Sequence, residues 1–354
     1  MEKKQSFWKK KRSYFIFIAI AVLIILIYWA NPRSVYDEMK EANKGLIVIA
    51  FMMNLTTTLL MLVRWMILYK EVSPGLSGLD SSKVYMIGQA TNQVAPMGTG
   101  EITRAYVGWK YFDIHFSKTL VSAVIERMVD ILFFLILAMI CFTIFLPGSR
   151  FYLQLIIFVL LSSIGFIFVM RPHTMDRLFI RLEKTFENRG KFWDKISTKL
   201  ISSWETFKKS MYKYHERKMI LLATGILTVI IWSLDAVTQF ILFQAFDVEI
   251  SYFYVLGIVS ASFIIGALSF LPGGLGAREG SFAYLAALIL IGIGSLSYGE
   301  AKALGMAVAL VYKSIVYIII GLGAMIAIMT LPTAIEKKES ESEAEVKAES
   351  EPKS

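Results

Sequence analysis

The chain is poor in the side chains that build crosslinks and metal sites. Its 354 residues include one cysteine, Cys141, and three histidines, His115, His173 and His215. A single cysteine excludes an intrachain disulfide and a thiol-based metal site, and the histidines are scattered without ligand spacing. G-x-S-x-G, H-E-x-x-H and Walker patterns and an Asp-rich cluster are also missing. We therefore predict that the protein is not an enzyme and uses no metal or other cofactor.

Apolar residues dominate the sequence instead. They make up 56 % of the chain, and several runs reach the roughly 20 residues that cross ~30 Å of hydrocarbon. These runs predict an all-α polytopic membrane protein with about eight helices. The predicted helices are Tyr14 to Trp29, Gly45 to Tyr69, Thr119 to Leu146, Phe151 to Met170, Met219 to Phe246, Tyr252 to Leu271, Ser281 to Gly294 and Lys302 to Thr330. Because no small-residue cleavage site follows the first run, we interpret it as a retained helix.

Charge is distributed unevenly along the chain, and this predicts its orientation. Residues 1–12 hold six Lys/Arg against one Glu, and residues 171–218 hold thirteen against six acids. Both stretches are expected on the cytoplasmic side of a plasma membrane, with both termini. The predicted organisation is a basic N-terminus over 1–13, a transmembrane domain over 14–332 and an acidic, disordered tail over 333–354. Nothing in this pattern indicates a nucleic-acid partner.

The basic loop over 171–218 contains two stripes of apolar residues at helical spacing. The first stripe is Met175, Leu178, Phe179, Leu182 and Phe186, and the second is Trp193, Ile196, Leu200, Trp204, Phe207, Met211 and Tyr214. Two basic amphipathic helices on the anionic inner leaflet fit this pattern. Helices that pack on the cytoplasmic ends of the bundle fit it equally well.

The segment from Val84 to Trp109 lies between predicted spans, yet it contains Pro96, Gly98 and Gly100. If this segment crossed the membrane, the helices that follow it would place the loop 171–218 outside, against its charge. We therefore predict a re-entrant segment that begins and ends on the cytoplasmic side. Since non-helical backbone at membrane depth must be buried by protein or hydrated, the break also predicts a cavity.

A second passage, LPGGLGAREGSF, repeats the pattern of the first. Both copies read P-x-G-x-G with a glutamate close behind. The residues are Pro96, Gly98, Gly100 and Glu101 in the first copy, and Pro272, Gly273, Gly274, Gly276 and Glu279 in the second. Two Gly/Pro-broken segments at corresponding places in two halves point to an inverted-repeat transporter with its site between them. Two full spans at the second copy would preserve the same topology, so that alternative stays open.

Two arginines beside these turns are candidates to bind a phosphate. Glycines after a proline expose amide hydrogens, and a helix beginning at Glu101 or Ala277 would aim its positive dipole end at the turn. Arg104 and Arg278 would add planar bidentate donors. In the other interpretation Arg104 extends to the lipid headgroups and Glu101 caps its helix.

Further ionisable residues lie within the predicted helices. They are Arg64, Glu126, Arg127, Asp130, Asp235 and Lys313. Such groups are costly inside a membrane and usually face a cavity or one another. Arg127 and Asp130 form a candidate intrahelical pair, while Asp235 and Lys313 either pair across the bundle or line a path for a charged headgroup. Arg64 is close to a helix end, so we expect it to extend to the surface.

Three motifs in this order carry a family resemblance: PMGTGEITRAY, SAVIERMVDILFF and LPGGLGAREGSF. Together they resemble the flippase-like membrane family typified by the transmembrane region of lysylphosphatidylglycerol synthases, the multiple peptide resistance factor proteins, over roughly residues 10–332. The resemblance implies movement of an aminoacylated or anionic lipid, or of a polyprenyl-phosphate-linked sugar, between leaflets. In full-length synthases a soluble transferase domain follows the membrane part, whereas here the acidic tail follows, so we expect the transport half alone.

Two other functions stay open at this point. One is an intramembrane transferase with Glu101 or Glu126 as general base, and the other is a scaffold subunit for a separate lipid-modifying enzyme. Without ATPase motifs, transport has to be passive, ion-coupled or potential-driven. Protonation of Glu101, Glu126, Asp235 or Glu279 would supply an ion-coupled mechanism.

Overall fold

The structure is a computed structural model, and it describes residues 40, 42–95, 98–145, 160, 191–269, 271–294 and 297–332. This part of the chain consists of helices and the short connections between them and contains no strand. The helices are α1 Lys44–Val72, α2 Gly78–Val94, α3 Thr99–Phe112, α4 Phe116–Phe145, α5 Lys191–Glu216, α6 Lys218–Ala245, α7 Tyr252–Leu268, α8 Ala277–Gly292 and α9 Tyr298–Met329, with a 3-10 turn at Pro272–Gly274. Several predicted features lie outside the described residues: the first predicted helix, Tyr14 to Trp29; the predicted helix Phe151 to Met170 except for Leu160; the stripe from Met175 to Phe186; both termini; and Pro96.

Helices α1, α6 and α9 are long and apolar enough to cross a membrane. Large aliphatic side chains within these helices point outward, with 53 % exposure at Leu59, 53 % at Ile226 and 51 % at Leu322. A soluble protein would bury such residues, whereas lipid tails solvate them. The all-α membrane architecture predicted from the apolar runs is confirmed.

Helices α1 and α6 pack side by side and run in opposite directions. The N–H of Asn43, just before α1, donates to the carbonyl of Ala245 at the end of α6 at 2.8 Å. Twenty-one residues later, Arg64 reaches Thr228 near the start of α6. This arrangement defines two ends of the bundle, which we call the Lys44 face and the Val72 face after the two ends of α1.

Helices α2 and α3 form a hairpin that begins and ends at the Val72 face. Helix α2 starts six residues after Val72, and Ile114, just beyond α3, packs in the same apolar cluster as Val72. The Tyr69 hydroxyl is 2.8 Å from the Thr119 hydroxyl at the start of α4, which marks the same level. The first broken segment is therefore re-entrant, as its flanking charge predicts.

Helices α7 and α8 form a second hairpin at the opposite end. Val248 and Ser251, which precede α7, and Ile293, which follows α8, line one shallow groove at the Lys44 face. At the other end of this hairpin, the carbonyl of Gly273 accepts a hydrogen bond from Lys313, which is midway along α9. The hairpin therefore turns near the middle of the span, so the second broken segment is re-entrant too and does not join two full spans.

The packing of the helices repeats about a two-fold axis. Helix α1 packs on α2 and α4, and in the same way α6 packs on α7 and α9. Helix α2 also contacts α9 of the other half, and the corresponding helix α7 contacts α4. Helices α1 and α6 correspond and pack on each other in antiparallel fashion. A two-fold axis that relates antiparallel helices is perpendicular to them, so it lies in the membrane plane. This is the inverted repeat suggested by the two glycine-rich motifs.

The amphipathic helix α5 packs on the bundle at the Val72 face. Tyr214 in its last turn is fully buried, donates to the carbonyl of Leu68 at 2.5 Å and lies 2.8 Å from the Ser122 hydroxyl. Of the two interpretations of the basic loop, packing against helix ends holds for this part of α5.

Helix ends differ from prediction by a few residues where capping chemistry adds a turn. Ser297 and Glu300 form a capping box that starts α9 at Tyr298, four residues before the predicted Lys302. At α8 the Glu279 carboxylate accepts from the N–H of Gly276 at 2.7 Å, and the helix begins at Ala277. Helix α3 begins at Thr99, two residues before Glu101. Hydropathy alone does not detect such polar first turns.

Candidate functional site

Charged residues from α1, α3 and α4 form one buried group, which we call the first cluster. Its members are Arg64, Glu101, Arg104, Glu126, Arg127 and Asp130. Three arginines face three carboxylates, so the formal charges balance. A balanced and hydrogen-bonded group is the form in which charges are tolerated at membrane depth.

Arg64 holds the α4 carboxylates of the first cluster. Its guanidinium donates to both oxygens of Asp130 at 2.6 and 3.2 Å and to Glu126 at 2.8 Å. Helix α6 contributes the Thr228 hydroxyl, 2.7 Å from Arg64, and the indole of Trp232, which donates to Asp130 at 2.9 Å. The expectation that Arg64 extends to the surface is wrong, because ion pairing inside the bundle replaces hydration of its guanidinium.

Arg104 is fully enclosed in the first cluster. It is 0 % exposed, forms an ion pair with Glu126, and its guanidinium lies 4.8 and 4.3 Å from the ring centroids of Trp65 and Tyr85. Its stem passes Gly88, where a Cβ would lie 2.2 Å from the Arg104 Cγ. The interpretation that Arg104 extends to the headgroups is therefore wrong. Its charge is neutralised inside the protein.

Glu101 connects the tip of the first hairpin to α4. It accepts from Arg127 at 2.6 Å and from the Asn92 amide at 3.2 Å, while Asn92 in turn accepts from the N–H of Gly100 at 2.8 Å. The N-cap of α3 is Gly98, with φ of +88°, so Glu101 is not the cap. Arg127, at 29 % side-chain exposure, is the most accessible arginine of the first cluster and also lies 3.6 Å from Asp130. That last distance confirms the predicted intrahelical pair.

A second cluster occupies the symmetry-related helices α6, α8 and α9. Its members are Asp235, Gln239, Arg278, Glu279, Tyr312 and Lys313. The Asp235 carboxylate accepts from the Tyr312 hydroxyl at 2.6 Å and from the Gln239 amide at 3.1 Å. Lys313 lies 3.4 Å from Glu279. Asp235 and Lys313 thus have separate partners. Of the two interpretations offered for them, pairing across the bundle is wrong, because Lys313 is directed to the hairpin tip and Asp235 to Tyr312.

Arg278 differs from Arg104 in its electrostatic partners. Both arginines follow a glycine turn, and each passes a glycine of the preceding hairpin helix, since a Cβ on Gly266 would lie 2.9 Å from the Arg278 Cβ. The Arg278 guanidinium lies 5.6 Å from the ring centroids of Phe263 and Tyr312. Among the described carboxylates, none forms an ion pair with it within 4.0 Å. The second half therefore presents an arginine whose donors are not consumed by a salt bridge.

The tips of the two hairpins meet between the clusters. The N–H of Gly273 donates to the carbonyl of Ala95 at 3.2 Å, and the carbonyl of Gly273 accepts from Lys313 at 3.0 Å. Gly273 has φ of +58°, and a Cβ there would lie 2.4 Å from the Gln93 carbonyl oxygen. Only glycine fits a left-handed backbone at such a close approach. Contact between the tips closes the middle of the bundle.

The predicted glycines thus serve backbone geometry. Gly98, Gly274 and Gly276 all have positive φ, whereas Gly100 is needed for space, since a Cβ there would lie 2.2 Å from the Asn92 Cγ. Pro272 begins the 3-10 turn at the second tip. In this packing the turns bind each other and their own side chains.

Sequence reasoning places Trp232 and Gln239 on the helix face of Asp235, and Tyr312 beside Lys313, and the structure shows all three as uncharged partners. It missed the other uncharged partners, which are Trp65, Tyr85, Gln89, Asn92 and Thr228. Polar residues inside apolar helices are an available signal, because such a group at membrane depth needs a partner. Within the described residues, no group of three His, Cys, Asp or Glu is arranged to hold a metal ion.

Comparisons with known proteins agree with this architecture. The sequence profile of the lysylphosphatidylglycerol synthase TM region matches residues 16–324. A UPF0104 membrane protein of Methanothermobacter thermautotrophicus is 22 % identical over 287 residues, which cover 77 % of this chain and 84 % of that protein. A UPF0104 membrane protein of Pyrococcus horikoshii is 23 % identical over 283 residues, covering 76 % and 84 %. No solved structure matches the chain significantly.

Proposed function

The chain belongs to the family of the lysylphosphatidylglycerol synthase transmembrane region, and from that premise we propose that it moves a phosphate-containing lipid between the leaflets of the membrane. The cargo is an aminoacyl-phospholipid or a polyprenyl-phosphate-linked sugar, since both present a phosphate beside a polar headgroup. We propose a transporter and not an enzyme. The acyl chains of the lipid stay in the bilayer while its headgroup passes along the protein.

The single observation that carries the proposal is the state of Arg278. An arginine inside a membrane bundle is costly without a counter-ion in contact, and Arg278 interacts with Asp235 and Glu279 only beyond the 4.0 Å of an ion pair. A guanidinium without a salt bridge matches a phosphate geometrically, because two N–H groups bond two oxygens at once. Arg104, whose sequence motif makes it an equal candidate, is already paired with Glu126 through Nη1, although its Nε and Nη2 have no hydrogen-bond partner.

The two hairpins supply a path. They start from opposite faces and meet at the contact of Ala95 with Gly273, so each face has its own half-path to the centre. A headgroup that binds Arg278 from one side leaves to the other when the tips separate. The direction of transport depends on a difference in lipid affinity between the two facing states, because a lipid that binds both states equally does not shift the equilibrium between them.

Orientation follows from α5. Residues 191–216 hold six Lys and three acids, and this helix lies at the Val72 face. By the positive-inside tendency the Val72 face is cytoplasmic, and the lysines of α5 contact the anionic inner leaflet of the plasma membrane.

Leaflet exchange tests the proposal. Purified protein is reconstituted into vesicles with headgroup-labelled phosphatidylglycerol, and dithionite is added to bleach the label in the outer leaflet. In vesicles that contain the wild type, we expect nearly all of the label to be bleached. Arg278→Gln should lose this activity. The matched control is Arg217→Gln, because Arg217 is 68 % exposed at the Val72 face, outside both clusters. Exchange that stays at the protein-free level in the wild type, with aminoacylated, anionic and polyprenyl-phosphate lipids alike, would contradict the proposal.

A transferase is the second candidate, and one observation favours it. Glu101 keeps one buried oxygen, Oε2, without a hydrogen-bond partner, as a general base would require, whereas both oxygens of Glu126 are occupied by Arg64 and Arg104. A transferase acts in detergent micelles, which have no two leaflets. Conversion of a lipid-linked substrate in detergent that Glu101→Gln abolishes would place this function first.

A further inference from the structure

Asp235 is a carboxylate deep in the bundle whose hydrogen-bond partners are uncharged. It is 2 % exposed and lies near the middle of α6. Both of its oxygens are bonded, one to the Tyr312 hydroxyl and the other to the Gln239 amide. A buried charge with only neutral partners is unstable unless a cation is near, and otherwise the group takes up a proton.

The cation that acts on Asp235 is Arg278. The two side chains interact electrostatically, and the Arg278 guanidinium lies over the ring of Tyr312, whose hydroxyl bonds Asp235. Gln239, Arg278, Glu279 and Tyr312 also line one small, partly open cavity of about 10 Å³. That volume approaches the space that one water needs, so the groups around Asp235 are close without being fully packed.

The other helices around α6 bring no competing cation to this level. Helix α1 has no ionisable side chain between Lys44 and Arg64, and α7 carries only tyrosines near its start. From α9, Lys313 is paired with Glu279 of α8 and bonded to the Gly273 carbonyl. From α4, Asp130 bonds Trp232, one turn from Asp235, but is neutralised by Arg64. Helix α5 packs near Ile220, toward the Val72 face.

We propose that Asp235 and the lipid phosphate compete for Arg278, so that each lipid anion moves together with one proton. This inference rests on the proposed function and adds its energy source. Without lipid, Arg278 compensates ionised Asp235. When a phosphodiester anion takes Arg278, Asp235 is left uncompensated and binds a proton.

The charges balance in both states. In the empty state one guanidinium offsets one carboxylate, and in the loaded state the same guanidinium offsets one phosphate while Asp235 is neutral. The site therefore stays electrically neutral at each step, which avoids an unpaired charge in a low-dielectric environment. Lipid anion and proton leave to the same side, and Arg278 returns to Asp235. The protein is a lipid–proton symporter that a pH gradient can drive.

Two measurements test the symport. In the first, labelled phosphatidylglycerol exchanges in proteoliposomes under an imposed pH gradient. We expect label to accumulate in the leaflet on the alkaline side and to return to an even distribution when an ionophore abolishes the gradient. In the second, binding of phosphatidylglycerol in detergent is measured from pH 8 to pH 5.5. Reciprocal linkage requires tighter binding at the acid end, by on the order of tenfold.

Substitutions test whether Asp235 causes the pH dependence of lipid binding. Asp235→Asn is permanently neutral, so its binding should equal that of the wild type at acid pH and should not change with pH. Asp247→Asn is the matched control, because Asp247 is exposed with φ of +61°, a conformation that asparagine accepts. It should keep the wild-type pH dependence. Tyr312→Phe removes a donor that stabilises the ionised carboxylate, so it should move the transition to higher pH.

The outcomes separate the two proposals. Exchange that is fast but insensitive to a pH gradient would overturn the symport and leave translocation standing. Equal pH dependence of binding in the wild type and in Asp235→Asn would do the same. Absence of exchange in the wild type would overturn the proposed function, and with it the coupling.

Discussion

The N–H of Gly273 bonds the carbonyl of Ala95 at 3.2 Å, and this contact joins two hairpins that start from opposite faces of the bundle. Neither hairpin crosses the whole bundle, and both reach its middle. The clusters of charged residues lie on either side of this contact. A transporter that opens alternately to two sides needs a central element of this kind, which can separate without unfolding the spans around it.

The contact of the tips depends on glycine at position 273. Gly273→Ala would place a Cβ 2.4 Å from the Gln93 oxygen at a φ of +58°, so we expect about 1–3 kcal/mol of strain and a lower thermal midpoint in detergent. Gly280→Ala is the matched control on the same hairpin, since a Cβ there meets nothing within 4 Å. Its midpoint should equal or exceed that of the wild type. Equal midpoints for all three proteins would show that the tips are not in close contact.

The first cluster is expected to contribute chiefly to stability. Glu126→Gln removes the carboxylate shared by Arg64 and Arg104. Because it leaves buried guanidinium charge uncompensated, the change should cost about 3–5 kcal/mol and lower the thermal midpoint by more than any other single Glu→Gln change described here.

Glu300→Gln provides the comparison for Glu126→Gln. Glu300 is exposed and bonds Ser297 at the start of α9, and glutamine can cap in the same way. We expect the thermal midpoint of Glu300→Gln to stay close to that of the wild type. If both variants unfold at the same temperature, Glu126 does not hold the two arginines together.

The inverted topology predicts where single cysteines become accessible. In a Cys141→Ser background, cysteines at Gly75 and His115 bracket the first hairpin, and cysteines at Glu249 and Gly299 bracket the second. All four positions are exposed. A membrane-impermeant maleimide should label the first pair from one side of the vesicle and the second pair from the other. Labelling of positions 75 and 115 from opposite sides would mean that the first hairpin spans the membrane.

Much of the fold could be predicted because its signals are local. Apolar runs predict the spans, and the charge of residues 171–218 together with Pro96, Gly98 and Gly100 predicts that the segment between α1 and α4 turns back. The turn geometry follows from glycine chemistry within a few residues. These features depend on neighbours in sequence, so no knowledge of tertiary packing is needed.

The pairing of charges could not be predicted in the same way. Arg64 bonds Glu126, 62 positions away, and Thr228, 164 positions away, and no local pattern specifies such partners. Arg104 and Arg278 look alike beside their glycine turns, yet α4 presents Glu126 to the first and α9 presents Tyr312 to the second. Whether each arginine has a carboxylate partner in contact is therefore decided by a residue on another helix.

Binding of a lipid phosphate by Arg278 is the central claim, and native mass spectrometry of the detergent-purified protein titrated with phosphatidylglycerol tests it most directly. Loss of a charged hydrogen-bond pair worth about 1.5–3 kcal/mol predicts that Arg278→Gln binds at least about tenfold more weakly than the wild type. Arg217→Gln should bind as the wild type does, and uncharged diacylglycerol should not discriminate between the three proteins. Equal affinity of Arg278→Gln and the wild type for phosphatidylglycerol would contradict the account.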